Sequence, residues 1–195
     1  LFFVPAAVAD HVPHEVGGFV LGEDIASYAD KVQMNSALPI RYEPYLVEVE
    51  TVEDAQFKSG LITMGQCNRP GRILRIKMKY ADSTAEYFEQ LLNKFKDRFG
   101  DPGEWRGDPF HIVKAWKWSF TDEKGDRISL TLQHNVKDQE EKMGNSVKLT
   151  LTSQIEKEQQ CYEKKASSGT QPSGPPTTKE NLPPHRPNWE KCVPK

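Results

Sequence analysis

Apolar and polar residues alternate strictly in four stretches of this chain. In RILRIKMKY, Leu74, Ile76, Met78 and Tyr80 fall on one face and Arg75, Lys77 and Lys79 on the other. AWKWSF groups Trp116, Trp118 and Phe120, RISLTLQH groups Ile128, Leu130 and Leu132, and SVKLTLT groups Val147, Leu149 and Leu151. A period of two predicts strands, and alternation rather than unbroken apolar runs predicts an antiparallel sheet with one covered face. TDEKGD, Thr121 to Asp126, reads as a hairpin connection, and VKDQEEKMGN as a longer loop before the last strand.

The period changes in DSTAEYFEQLLNKFKDRFGDP. Phe88, Leu91, Leu92, Phe95 and Phe99 recur at helical spacing, Ser83 with Glu86 three residues on has the capping-box pattern, and Gly100 and Pro102 supply the stop. This amphipathic helix needs an apolar surface, and the greasy faces of the strands offer one. The first half repeats the plan more loosely. A short helix carrying Leu21, Ile25, Ala29 and Val32 inward precedes strands near 45–51, 60–66 and 72–80. The fold class is therefore α+β, with helices on one face of an antiparallel sheet and an α-β-β-β pseudo-duplication.

Composition sets the boundaries. The 195 residues are 28% charged, with mean hydropathy −0.69, and no stretch approaches the roughly 20 apolar residues a membrane span needs. In the opening LFFVPAAVAD, Ala7 and Ala9 fit the A-x-A pattern read by signal peptidase, so residues 1–9 read as a signal-peptide remnant. Asp10, where the mature chain would start, is not the cysteine a lipoprotein anchor requires. Residues 10–165 form a single domain, and residues 166–195, with half of the fourteen prolines, a flexible tail. Export predicts a periplasmic or extracellular protein in which two of the three cysteines pair. Cys67 and Cys161 each follow a predicted strand and are the expected disulfide, leaving Cys192 in the tail.

The succession GGFVLGEDI, strands, YFEQLLNKFKDRFGDP, AWKWSF and ISLTLQ resembles small secreted bacterial envelope proteins with helix-plus-meander repeats, namely β-lactamase-inhibitor-protein-like and outer-membrane assembly lipoprotein-like domains. The resemblance covers residues 17–152 and implies binding to other proteins of the cell envelope.

Charge and loops supply the candidate sites. Residues 69–98 hold eight basic and four acidic side chains, whereas residues 10–56 hold two basic and ten acidic. Arg75, Lys77 and Lys79 thus form a candidate binding surface, with Glu48 and Glu50 as expected cross-strand partners. A net charge of −2 argues against nucleic acid as the partner. The long segment Phe99 to Lys114 adds Trp105, Arg106, Asp108, Phe110 and His111, side chains suited to anchoring a partner or to folding back as a lid. No nucleophile elbow, metal-ligand spacing or phosphate-binding glycine motif accompanies them, so no catalytic residue, metal or cofactor is assigned. The sequence reading is an exported module that binds a protein or envelope component. Its alternatives are a small secreted hydrolase using His111 or His134 and a subunit of an extracellular assembly.

Overall fold

The computed structural model describes residues 12–110, 112–135 and 144–168. A two-stranded ribbon, β1 (Glu15–Val16) and β2 (Phe19–Val20), turns through Gly17 and Gly18. Their φ angles of 61° and 74° are the left-handed values that a two-residue hairpin turn demands and that glycine meets without strain. A single 3-10 turn, Ile25–Tyr28, follows, with the Asp24 carboxylate accepting from the Ala26 N–H at 3.0 Å.

The expected helix through Val32 does not form. Ala29 is exposed, and Val32 already begins strand β3 (Val32–Ile40), which alternation had not revealed. Then come β4 (Glu43–Thr51), β5 (Phe57–Gly65), β6 (Ile73–Tyr80), α1 (Ala85–Phe99), β7 (Glu104–Trp105), β8 (Val113–Thr121), β9 (Arg127–Asn135), β10 (Gly144–Leu151) and α2 (Thr152–Ser167). The expected strands lie within one to three residues of β4, β5 and β6. Helix α2 was not expected: it carries Ile155 toward the core and Tyr162 toward Tyr45 but is mostly polar, and it runs to Ser167, past the expected start of the tail.

One eight-stranded antiparallel sheet takes the order β3-β4-β5-β6-β10-β9-β8-β7. Leu74, Ile76, Met78, Trp118, Ile128, Leu130, Leu132, Val147 and Leu149 all enter one buried cluster. Burial of each such side chain contributes about 1.5–3 kcal/mol. Helix α1 covers β8 to β10: Phe88, Leu91 and Leu92 are buried, Phe95 meets Trp118 edge-on at 5.9 Å, and Phe99 meets Phe120 at 5.7 Å. Over β5 and β6 the cover is the N-terminal ribbon, not a helix; Gly17 lies against Met78 and Phe57, and Phe19, Leu21 and Ile25 join the core.

The cap of α1 is also displaced from Ser83. Thr84 is the N-cap, its Oγ1 accepting from the Tyr87 N–H at 3.2 Å, and Asp82 orients it by accepting from the Thr84 hydroxyl at 2.6 Å. A neighbouring hydroxyl thus outcompetes the capping box because Asp82 precedes it by two residues and closes an Asx turn. The β8–β9 hairpin turns at Asp122 to Asp126 as expected, with the Asp122 N–H donating to the Asp126 carbonyl at 3.0 Å.

Cys67 and Cys161 are joined, with Cα atoms 5.8 Å apart and a sequence separation of 94. Cys192 and most of the proline-rich tail lie outside the described residues, as do residues 1–9. No helix among the described residues is long and apolar enough to cross a membrane.

Candidate functional site

Because partners across a ladder point the same way, the register alone assembles the face of the sheet opposite α1. Gln33, Glu50, Leu61, Lys77, Lys148, Thr131, Lys117 and Glu104 are successive partners from β3 to β7, a single transverse row across all eight strands. On one side of it run Thr63, Arg75, Thr150 and Ser129; on the other, Ser59, Lys79, Ser146 and Gln133. Thr63, Thr150 and Ser129 are buried, at the end where Glu158 of α2 meets Gly65, and the rest of the face carries cations, hydroxyls and amides. An open groove of about 530 Å³ lies over part of it, lined among others by Lys58, Lys77, Lys79, Glu50, Glu53 and Gln133.

Charges on this face are only partly compensated. Arg75 donates to Glu43 at 3.2 Å, and Arg106 and Lys117 share one carboxylate, Glu104, at 2.8 and 3.4 Å. Lys77 and Lys148 face each other directly, and neither has an ion-pair partner among the described residues. Burial, and then the charges of Arg75, Lys77, Lys117 and Arg106, push the Lys148 ammonium below the ordinary lysine range.

The expected partners Glu48 and Glu50 do not reach Lys77 or Lys79. Strand β5 intervenes, placing Leu61 between Glu50 and Lys77, and Glu48 accepts from the Thr63 hydroxyl at 3.1 Å. Alternation assigns residues to a face but not neighbours to a strand, so the pairing across two strands was out of its reach.

The fold brings Arg106 to the same face as Arg75, Lys77 and Lys79, uniting two candidate groups that the sequence kept apart. The other loop candidates diverge. The segment after α1 runs back along β8, the Arg106 N–H donating to the Ala115 carbonyl at 2.8 Å and the Asp108 N–H to Val113 at 3.0 Å. Trp105 therefore turns to the covered side and packs against Trp116 at 4.8 Å. Asp108 holds the turn: its carboxylate accepts from the Val113 and Phe110 N–H groups, and the Val113 bond above all keeps it below the usual carboxylate range. Phe110 is 83% exposed. His111 lies outside the described residues.

His134 is 2% exposed, on the covered side beneath Phe88. Its Nδ1 sits 2.7 Å from Asn145 Oδ1, and Asn145 Nδ2 donates to the Asp82 and Thr84 carbonyls, each at 2.9 Å. Those two acceptors fix the amide orientation, so His134 Nδ1 carries the proton and donates. This chain of bonds ties the start of α1 to β9 and β10. The ring lies on the opposite side of the sheet from the groove, which its neighbours Gln133 and Asn135 line.

Sequence reasoning also missed Glu158, which is fully buried in α2. Its carboxylate accepts from the N–H groups of Cys67, Asn68 and Arg69 at 2.7, 2.9 and 2.5 Å, satisfying the turn beside the disulfide. One signal was legible: Gly65, where any Cβ would lie 2.5 Å from Glu158 Oε1. Among the described residues no three His, Cys, Asp or Glu side chains are placed to hold a metal ion. Compared with protein-family models, curated proteins and solved structures, the chain matches none.

Proposed function

We propose that this chain is an exported module that binds another protein, or a component of the cell envelope, through the open face of its sheet. The observation that carries the reading is the unequal cover of the two faces of the sheet. One face is roofed by α1 and the ribbon; on the other, α2 closes only the end that holds Gly65 and the buried Thr63, Thr150 and Ser129, and the middle presents Lys77 and Lys148 exposed. Arg75, Lys77, Lys79 and Arg106 contribute to that face, and Phe110 is an exposed apolar side chain of the segment that follows Arg106. The disulfide and the Ala7-Val8-Ala9 pattern support a periplasmic or extracellular location. The mirrored strand orders β3-β4-β5-β6 and β10-β9-β8-β7 support a duplicated plan, with α1 answered in the first half by the 3-10 turn.

A second reading, membership of an extracellular assembly, is favoured by the β3–β4 edge. Met34 and Leu38 of β3 and Tyr42 of the turn after it are exposed there, at a strand whose outer side is unpaired among the described residues.

The test is capture from the native envelope fraction with the full chain immobilised, comparing the wild type with Arg75→Glu/Lys79→Glu. Specific recovery of a partner by the wild type, reduced in the variant, is the expected result. Recovery of no partner, or conversion of an envelope substrate by the wild type, overturns the binding reading.

A further inference from the structure

Like charges placed directly opposite each other on a ladder destabilise it, so Lys77 facing Lys148 is a cost to the free protein that the fold does not require. Glutamine or threonine at either position would serve the sheet as well. The cost is compounded two strands away, where Lys117 and Arg106 divide a single carboxylate between them. Such uncompensated charge is accounted for if a ligand supplies the missing anions.

We propose that the Lys77–Lys148–Lys117 row seats a short acidic segment of a protein partner, lying across the strands. This rests on the protein-binding reading and specifies its chemistry. The row fixes the length of the acidic stretch. From β6 to β8 it crosses three interstrand steps, about 14 Å, which is about four or five extended residues. Carboxylates bound it at both ends, Glu50 on β4 and Glu104 on β7, so the segment has an acidic middle and neutral or basic flanks. That minus-plus-minus order disfavours a long polyanion, whose charge continues past both ends. Nucleic acid is further disfavoured because Trp105, Trp116 and Trp118 belong to the covered side, so that none of these three tryptophans offers the row a stacking surface for bases. Thr131 within the row and Ser146 beside it, both half-buried, add hydroxyl donors to the carboxylates.

The test uses the full chain and a fluorescent peptide with about five consecutive Asp and Glu residues between lysine ends, at low ionic strength. Binding by fluorescence anisotropy, weakening as salt rises, is expected. K77E/K148E weakens it at least about tenfold, whereas K94E on the exposed side of α1 leaves it unchanged. If the charge reversal fails to fold, as judged by circular dichroism, K77Q/K148Q takes its place with the same direction of change. The proposal is overturned if the peptide binds the double variant as well as the wild type or binds neither. It is also overturned if a single-stranded oligonucleotide binds the row more tightly, or if sedimentation shows a second copy of the chain occupying this face. A native partner held equally by wild type and double variant overturns the row alone, and leaves the protein-binding reading in place.

Discussion

Lys148 costs the folded chain stability. Its ammonium is disfavoured by burial and by four cationic neighbours, so its proton is held less tightly in the folded than in the unfolded state. A base lowered in this way withholds stability at neutral pH and restores it only as pH climbs through the lowered value toward that of unfolded lysine. Lys148→Gln is therefore expected to stabilise the isolated protein by about 0.5 kcal/mol. Thermal melts should show the gain at low salt and its shrinkage at high salt; a variant that melts lower would contradict the electrostatic account. Asn145 stands at the opposite extreme. It bonds the buried His134 and the Asp82 and Thr84 carbonyls at the exposed entry of α1, so Asn145→Ala removes the bond of His134 within the core while the Thr84 carbonyl keeps the Phe88 N–H. Urea unfolding should register a loss of about 1–3 kcal/mol, with binding to the acidic peptide unaffected in whatever fraction remains folded.

At the scale of elements, each helix is held by a different kind of force. Helix α1 is apolar packing: Phe88 is buried between His134 and the core, and Phe88→Ala is expected to cost about 3–5 kcal/mol in the same urea experiment. Helix α2 is polar anchoring. Burial works against ionisation of Asp126, but bonds from Ser153 and Gln154 and the charge of Lys157 prevail and lower its pKa. A carboxylate lowered on folding contributes stability that is full above the unfolded value and lost as pH falls through the folded one. Asp126→Asn should accordingly flatten part of the stability loss below about pH 4. An acid limb identical to that of the wild type would remove Asp126 from the account. This contrast explains what the sequence disclosed. Alternation and helical spacing are signals of apolar burial, so α1 and strands β4 to β6 and β8 to β10 were legible from side chains such as Leu91 and Ile76. Helix α2 was not, because a buried glutamate bonded to backbone and an aspartate on the preceding hairpin hold it. Strand β3 was equally hidden, since its edge position leaves Met34 and Leu38 outside the core. The basic residues of the site were visible as a cluster, but their alignment with Lys148 and Arg106 depends on β10 pairing with β6, a long-range contact without a local pattern.

Across the whole molecule, two half-sheets are joined along β6 and β10 and cross-braced by the disulfide between the β5–β6 turn and α2. In the chain-entropy description, closing a loop of that length contributes about 4–5 kcal/mol. Reduction should lower the urea midpoint correspondingly; an unchanged midpoint would mean that Glu158 alone holds the turn. The same brace keeps the two halves in register, so the transverse row of charges remains aligned across the junction. The function argued here depends on that aligned face being the surface that meets a partner. Lysine acylation read by mass spectrometry, on the free protein and on the complex recovered from the native envelope fraction, tests this most directly. Lys77 and Lys148 are expected to react in the free protein and to be protected in the complex, while Lys94 on α1 reacts equally in both. Protection of Lys94 with Lys77 and Lys148 still reactive in the complex would contradict it.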